Sequence, residues 1–385
     1  MKTNLRLINY HYTIFNNKSL YNAIYGETYK RAYGTSMFKE TNLHLVNCSN
    51  DYINFVKTYL EGGMVHIFKY SSLGEFKKRI QELNPENNIF IIPNWFAYNK
   101  FGLLHFPSTF VSKFIIFIRK HGLKVVLIED YPLFYDKFQS SKLINRLLTY
   151  KLVYKLLSIP LEKEYRHVDL IFANSNQTKN FIYQKFQLES NISYVPIHSK
   201  YFYYEYMGVR DKIVVHYSQN FDINIIKTIK SMKLNYKFIL LNFPDFLQGK
   251  EFLDMDAEIK FMNNYGFNDI HKLYSQAAVT IISEREGTFE GMPIESIASG
   301  VPVISYDLSS IILIKSYLKE MKINLDPFIN IEEFTINSFK SMIDNFTEDK
   351  RKEIANIIGN FFSEHTIQQK FIKCLQEKLS FDEDF

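Results

Sequence analysis

Short apolar segments that alternate with helical segments are the feature that most constrains the fold of this chain. In the first half the predicted strands are Leu43–Val46, Met64–Phe68, Asn88–Ile92, Lys124–Ile128, Leu170–Ala173 and Ile192–Val195. In the second half they are Lys212–His216, Lys237–Leu241, Glu258–Met262, Val279–Ile282 and Val301–Ser305. Runs that are apolar on both faces and are separated by helices are typical of buried parallel strands. The repeated alternation predicts an α/β chain with two doubly wound parallel sheets.

The chain length and one irregular stretch predict where these two sheets divide. A chain of 385 residues suits two domains better than one core. A tyrosine-rich stretch, His198–Arg210, separates the two series of strands. We therefore expect an N-terminal domain over residues 1–200 and a C-terminal domain over residues 210–360, followed by a segment 361–385 with a helix near Thr366–Leu379.

Composition excludes several classes of protein. The two cysteines, Cys48 and Cys374, have no metal-type spacing and cannot build a disulfide framework, which indicates a reducing compartment. No apolar run reaches signal-peptide length or the roughly 20 residues of a membrane span. A net charge of +5 is too small to indicate a nucleic-acid partner. The abundance of Asn, Lys, Ile, Phe and Tyr suggests an AT-rich, bacterial genome. We expect a cytoplasmic protein, or one bound to the inner face of the cell membrane.

The segment Ser283–Ser305 has the strongest local pattern. A strand enters a loop with glycines and acids, a helix begins near Pro293, and Gly300 ends that helix. This places the helix start at the carboxyl edge of a parallel sheet, where such folds bind ligands. Backbone N–H groups beside Gly287 and Gly291 would suit a diphosphate. An ordinary capped loop is the alternative interpretation.

Two carboxylates in the same segment are suited to bind the hydroxyl groups of a sugar nucleotide. Glu295, on the helix, would accept hydrogen bonds from two ribose hydroxyls, and Glu286, in the loop, would hold hydroxyls of a sugar.

The run Glu295-Ser-Ile-Ala-Ser-Gly-Val-Pro-Val-Ile304 resembles the signature of family 4 retaining glycosyltransferases. In that family a loop Glu-Gly precedes a helix that reads Glu-Ala-Met-Ala-x-Gly-x-Pro-Val-Ile. Ile270–Ser283 resembles the helix and strand before the signature, and scattered similarity covers most of residues 115–305. The resemblance implies a GT-B fold, with two Rossmann-like domains facing a central cleft and segment 361–385 returning to the N-terminal domain.

The same resemblance implies an activity. It is a metal-independent retaining hexosyl transfer from a nucleoside diphosphate sugar, UDP-sugar by preference, with no cofactor. The acceptor would be a saccharide, a lipid-linked glycan or a protein glycan in cell-surface glycan biosynthesis. Asp254-Met-Asp256 matches the Asp-x-Asp pattern of a metal-binding motif, but the polar residues around it favour a surface turn.

The resemblance also implies site residues. Seven residues lie between two glutamates in the family, whereas eight lie between Glu286 and Glu295. Glu290 therefore competes with Glu286 for the catalytic position. The expected donor-binding residues are Glu295, Gly287, Thr288, Phe289, Gly291, Met292, Pro293, Ser218, Asn220, Lys227, Tyr265, Gly266 and Phe267, the last three beside the nucleobase. The expected acceptor-side residues are His105, Asp130 and Ser175.

Departures from the family pattern keep two other functions open. The usual Gly-Arg after the first strand of the second domain is absent, and Lys227 or Lys230 either replaces its charge or is an ordinary surface lysine. The glycine-rich N-terminal loop is absent as well. A non-catalytic GT-B scaffold fits these gaps. A sugar-nucleotide epimerase is the other alternative, although the acid–base cluster that it needs is not evident.

A basic amphipathic segment, Ser140–Arg166, suggests a further partner. Its leucines fall on one helical face and its lysines on the flanks, which suits either an anionic membrane surface or a packing helix of the first domain. The apolar and basic run Phe114–Lys124 favours the membrane interpretation.

Overall fold

The computed structural model describes residues 6–12, 42–46, 66–83, 88–93, 115–129, 165–217, 221–243, 259–263, 265–284 and 291–379. The chain forms two compact units. The first contains Met1–Pro196 and Ile367–Phe385, and the second contains Ile197–Thr366. Within the described ranges, no helix combines the length and apolar character that crossing a bilayer requires.

The first unit is built on a seven-stranded parallel sheet. Its strands are β1 Arg6–Tyr12, β2 Asn42–Val46, β3 His66–Tyr70, β4 Asn88–Pro93, β5 Lys124–Glu129, β6 Leu170–Ala173 and β7 Asn191–Ile192. Their spatial order is β3-β2-β1-β4-β5-β6-β7. This is the doubly wound order in which the chain moves outward from β1 on one side and then from β4 on the other. Helices α1 Leu73–Gln81 and α2 Asn176–Phe186 belong to this unit.

The second unit repeats the arrangement with six parallel strands. They are β8 Lys212–His216, β9 Lys237–Leu241, β10 Ile259–Met262, β11 Ala277–Ile282, β12 Val303–Ser305 and β13 Phe328–Asn330, in the order β10-β9-β8-β11-β12-β13. Its helices are α3 Ile223–Ser231, α4 Phe267–Ser275, α5 Gly291–Ala298, α6 Ser309–Glu320, α7 Ile336–Asn345 and α8 Glu348–Phe361. Helix α9, Glu364–Leu379, begins in this unit and ends in the first.

Alternate residues of the first sheet enter two separate cores. Phe90, Val125 and Leu127 lie in one core with residues of α1 and α2. Ile89, Ile91, Val126 and Phe172 lie in the other, where Ile367, Phe371 and Leu375 of α9 cover them. The rings of Phe172 and Phe371 are 4.3 Å apart. The side-chain period of two in a strand explains why neighbouring residues serve opposite faces. The apolar stripe of α9 therefore completes the core of the first unit.

The second sheet is also covered on both faces. Val215, Val279 and Ile281 pack with α3 and α7. On the other face the Ser296 hydroxyl of α5 donates to the Thr280 oxygen of β11, 2.8 Å away. Both faces of β11 are consequently buried, as a central parallel strand requires.

A buried arginine fastens α8 to the end of α5. Arg351 is only 4% exposed, and its guanidinium donates to the carbonyl oxygens of Phe346, Gly300 and Ala278 at 2.9, 2.9 and 3.2 Å. Burial of a guanidinium is tolerated when its N–H groups find acceptors. Burial lowers the pKa of Arg351 to about 10, which leaves it charged at neutral pH.

The sequence predictions differ from the structure at a few strands. β1 and β13 were not predicted, because polar residues interrupt the apolar residues of Arg6–Tyr12 and Phe328–Asn330 is only three residues long. The strand predicted at Ile192–Val195 is wrong in extent, since pairing with β6 is limited to Asn191 and Ile192.

Candidate functional site

The strand order of the second unit creates a switch point between β8 and β11. These strands are neighbours, with His216 paired to Ile282 at their carboxyl ends, yet the chain leaves them in opposite directions along the sheet. A crevice outside the strand ends forms at such a point, and it is where open α/β sheets bind ligands. The site is built from residues that β8, β9, β10, α4 and α5 bring to this edge.

Helix α5 carries the carboxylate of the site. It follows β11 and begins at Gly291, and the partly buried Glu295 lies one turn further on. A Cβ atom on Gly291 would lie 3.5 Å from Glu295 Oε1, so the carboxylate folds back towards the start of the helix. The positive end of the helix dipole stabilises a carboxylate there. A side chain at position 291 would contact this carboxylate.

Two tyrosines lie within the electrostatic reach of Glu295. Tyr265 follows β10, and Tyr274 is fully buried on α4. Burial raises the pKa of Tyr265 to about 12, and the negative charge of Glu295 adds to this effect. Burial and the same charge raise the pKa of Tyr274 well above its usual value. Both phenols therefore keep their protons at neutral pH and can act as hydrogen-bond donors.

A histidine and an asparagine complete the polar group. His216 Nε2 lies 3.1 Å from the Tyr274 hydroxyl, and burial lowers the His216 pKa to about 4, so the imidazole is uncharged at neutral pH. Asn242 follows β9 with a φ of 60°, a conformation in which asparagine is enriched. Its Nδ2 donates to the Tyr265 oxygen at 2.7 Å. These contacts hold the two phenols in place.

The five residues Glu295, Tyr265, Tyr274, His216 and Asn242 form the polar edge group. It holds one negative charge, two protonated phenols, an amide and an uncharged imidazole, and it includes no cationic side chain. Such a set complements sugar hydroxyls and a nucleobase edge, both of which offer donors and acceptors.

Several predicted donor-binding residues belong to the same edge. Gly291, Met292 and Pro293 form the first turn of α5, and Tyr265 and Gly266 lead into α4. The Gly266 N–H donates to the Asp269 carboxylate at 2.9 Å, which fixes the start of α4.

Three other predicted residues are packed against protein, exposed to solvent or part of a helix cap. Phe267 stacks on Tyr201, with ring centres 5.0 Å apart, and so packs within the second unit. Lys227 is exposed on α3. Ser175 is buried in the first unit, where its hydroxyl accepts from the Thr178 N–H and caps α2.

The remaining predicted residues lie outside the described part of the chain. They are Glu286, Gly287, Thr288, Phe289, Glu290, Ser218, Asn220, His105 and Asp130. The amphipathic segment 140–166 is also outside it, except for its last two residues. Their roles stay predictions. Among the described residues, no three His, Cys, Asp or Glu side chains cluster as metal ligands would.

Sequence reasoning did not select His216, Tyr274 or Asn242. His216 and Asn242 carried a usable signal, since each is a polar residue at the end of a predicted parallel strand. No sequence signal indicated that His216 would hydrogen-bond to Tyr274, because the two residues are 58 positions apart along the chain.

Comparisons with known proteins agree on the fold. No protein-family model matches the chain, and no curated protein is similar to it in sequence. Among solved structures, it is similar to a sucrose-phosphate synthase from Thermosynechococcus elongatus (TM-score 0.58, 10% identity, 98% of this chain and 99% of that one). It is also similar to a Listeria monocytogenes structure described as a candidate UDP-N-acetylglucosamine 2-epimerase (TM-score 0.54, 11% identity, 98% of each chain). A third similar structure is the pneumococcal O-GlcNAc transferase GtfA in complex with UDP and GlcNAc (TM-score 0.50, 14% identity, 80% of this chain and 59% of that one).

These similarities show a shared fold. The predicted GT-B class, with two Rossmann-like regions, is confirmed. The assignment to family 4 stays a prediction.

Proposed function

We propose that the protein is a retaining glycosyltransferase that moves a hexosyl group from a UDP-sugar to a glycan acceptor. The observation that carries the proposal is the position of Glu295, which lies one turn into α5, at the switch point, and within electrostatic reach of two protonated phenols. A carboxylate there is suited to accept hydrogen bonds from both hydroxyls of a ribose. The signature that contains Glu295, and the GT-B fold, point in the same direction.

The reaction would use few protein groups. The bond between the anomeric carbon and the diphosphate breaks while a bond to the acceptor oxygen forms on the same face of the sugar. The acceptor proton passes to the leaving diphosphate, so no separate base is required. Glu286 or Glu290 would hold the donor sugar, and the N–H groups at the start of α5 would stabilise the charge that develops on the diphosphate. No metal ion or cofactor enters this scheme.

Uridine is the proposed base because the structurally similar transferase GtfA was solved with UDP. The proposed acceptor is a saccharide, a lipid-linked glycan or a protein glycan of a bacterial surface, and residues 140–166 would hold the enzyme at the inner face of the membrane. His105, Asp130 and Ser175 stay the proposed acceptor side.

Replacing the Glu295 carboxylate tests the proposal. Glu295→Gln keeps the size of the side chain but removes its charge. Charge-assisted hydrogen bonds are worth about 1.5–3 kcal/mol, so we expect UDP-sugar binding to weaken by roughly 10- to 100-fold. Binding and turnover of UDP-, GDP- and ADP-sugars should be measured for both proteins. Glu353→Gln, on the exposed side of α8, is the matched control and should bind as the wild type does.

Two results would reject the transferase. One is the absence of binding by every sugar nucleotide, together with an unchanged Glu295→Gln variant. The other is the conversion of a UDP-sugar into its epimer without any acceptor. The epimerase deserves this test because one similar structure is described as a UDP-N-acetylglucosamine 2-epimerase. Donor binding without turnover in the presence of acceptors would favour the non-catalytic scaffold.

A further inference from the structure

His216 occupies a position in the second unit that core packing does not require. It is the last residue of β8, at the switch point, and is 7% exposed. β9 and β11 flank it, with Leu241 and Ile282 as its pairing partners. A buried apolar residue would continue the pattern of β8 better than an imidazole. Its polar atoms therefore need an explanation.

The hydrogen bond between His216 and Tyr274 determines which ring nitrogen carries the proton. Among the described residues, the Tyr274 hydroxyl has no hydrogen-bond partner other than His216 Nε2, 3.1 Å away. If Nε2 donated, the phenol proton would be buried without an acceptor, at a cost of about 1–3 kcal/mol. If the phenol donates, its proton is satisfied and Nε2 acts as the acceptor. The neutral ring then carries its hydrogen on Nδ1.

The Nδ1–H group that results is a donor without a protein acceptor in the described part of the chain. It belongs to a residue at the ligand-binding edge of the sheet, where Glu295 provides an acceptor for hydroxyls. A donor at this edge complements a different part of a nucleotide, namely oxygens that carry no hydrogen. The diphosphate supplies such oxygens.

The end of β8 and the start of α3 supply no positive charge to this edge. Residues 213–226, which include the end of β8 and the start of α3, contain no lysine or arginine. Lys227, the first cation after them, is exposed on α3. Diphosphate oxygens beside the end of β8 would therefore need uncharged donors from this segment.

We propose that His216 binds the diphosphate of the sugar nucleotide through Nδ1–H, and that Tyr274 is a positioning residue that fixes the required tautomer. The proposal rests on the proposed function, because it names a further binding residue of the same site. His216 is not required to gain or lose a proton in the reaction. It is a neutral donor that a buried phenol holds in one orientation.

Two amide variants separate the two ring nitrogens. In His216→Asn the amide nitrogen takes the place of Nδ1, so the donor to the ligand is kept. In His216→Gln the amide oxygen can take the place of Nε2 as the acceptor from Tyr274, so that contact is kept and the ligand donor is lost. The affinity for UDP and for uridine should be measured by calorimetry and ligand-observed NMR, with unfolding monitored in parallel.

We expect His216→Gln to weaken UDP binding by roughly tenfold and to change uridine binding less than twofold. His216→Asn should bind UDP within about threefold of the wild type. Equal UDP affinity for wild type and His216→Gln would overturn the proposal, as would an equal loss for UDP and uridine, which indicates a structural role. If the wild type binds no nucleoside diphosphate among UDP, GDP and ADP, the proposed function itself fails.

The role of Tyr274 has a separate spectroscopic test. The 15N shifts of the His216 ring, assigned by comparison with His216→Asn, distinguish a protonated Nδ1 from a protonated Nε2. We expect Nδ1–H in the wild type and a mixture of tautomers in Tyr274→Phe, with a smaller loss of UDP affinity than in His216→Gln. A protonated Nε2 in the wild type would contradict the assignment.

Discussion

At the scale of single residues, burial keeps the His216 imidazole uncharged and so couples the stability of the second unit to pH. In the unfolded chain a histidine titrates near pH 6.5, whereas burial lowers the pKa of His216 to about 4. Protons therefore bind the unfolded chain more tightly. The stability that comes from this residue is complete above about pH 6.5 and is lost as the pH falls towards 4.

The measurable consequence is a difference in acid sensitivity. Between pH 7 and pH 4.5, His216 should cost the wild type about 2 kcal/mol of unfolding free energy. His216→Gln has no group that titrates at this position, so its urea-unfolding free energy should fall by that much less over the same range. If the unfolding free energies of the two proteins change with pH by the same amount, the imidazole is not buried in its neutral form.

The candidate site was only partly predictable at this scale. Glu295 was selected because the residues after it match a signature. Asn242, Tyr265, His216 and Tyr274 are brought together by the ends of three strands and by one helix. Contacts of this kind depend on strand order and register, and sequence periodicity carries no information about which polar strand ends will meet.

At the scale of elements, the end of α5 depends on one glycine. The Gly300 N–H donates to the Ile297 oxygen, and the Val301 N–H donates to the Ser296 oxygen, which is a Schellman termination. Gly300 has a φ of 77°, in the left-handed region, and a Cβ there would lie 2.7 Å from Tyr204 Cδ2 and 3.3 Å from Arg351 Cβ. Backbone conformation and close packing thus both favour glycine.

Substitution of this glycine should be costly. Gly300→Ala combines an unfavourable φ with a clash against a ring carbon, so we expect a loss of about 2–4 kcal/mol and a melting temperature lower by about 5 °C or more. Gly359→Ala is the matched control, because position 359 lies within α8 and no atom is within 4 Å of the added methyl. In that variant we expect no loss, or a gain of about 0.5–1 kcal/mol. Equal thermal shifts in the two variants would refute the packing argument.

Element boundaries were predictable where the chain provides both periodicity and a stop signal. The strands at Lys212–His216 and Lys237–Leu241 were predicted to the residue. The helix that includes Glu295 was predicted to begin near Pro293 but begins at Gly291, since the proline lies inside its first turn. β1 could not be recognised as a central strand, because Arg6, Asn9 and His11 interrupt its apolar residues.

At the scale of the whole molecule, both sheets have the strand order 3-2-1-4-5-6, and the first continues to a seventh strand. The repeated alternation of strands and helices predicted two such sheets, and the right-handed crossovers of parallel strands leave few other arrangements. Hydrophobic periodicity alone could not show which apolar helix covers which face, and the return of segment 361–385 to the N-terminal domain was implied only by the family resemblance. Helix α9 follows the second unit along the chain, yet its apolar residues cover the first sheet.

This connectivity predicts that the two units behave differently when they are separated. A fragment of residues 197–366 contains all of the second sheet and its core, so we expect it to fold with cooperative unfolding and to bind UDP. A fragment of residues 1–196 lacks α9 and exposes Ile91, Val126 and Phe172 to water, so we expect it to aggregate or to remain partly unfolded. Adding residues 367–385 as a separate peptide should restore part of its structure. Full-length Phe371→Ala should be destabilised by about 3–5 kcal/mol, because it leaves a cavity beside Phe172. A soluble, cooperatively folded 1–196 fragment would show instead that the first sheet does not need α9.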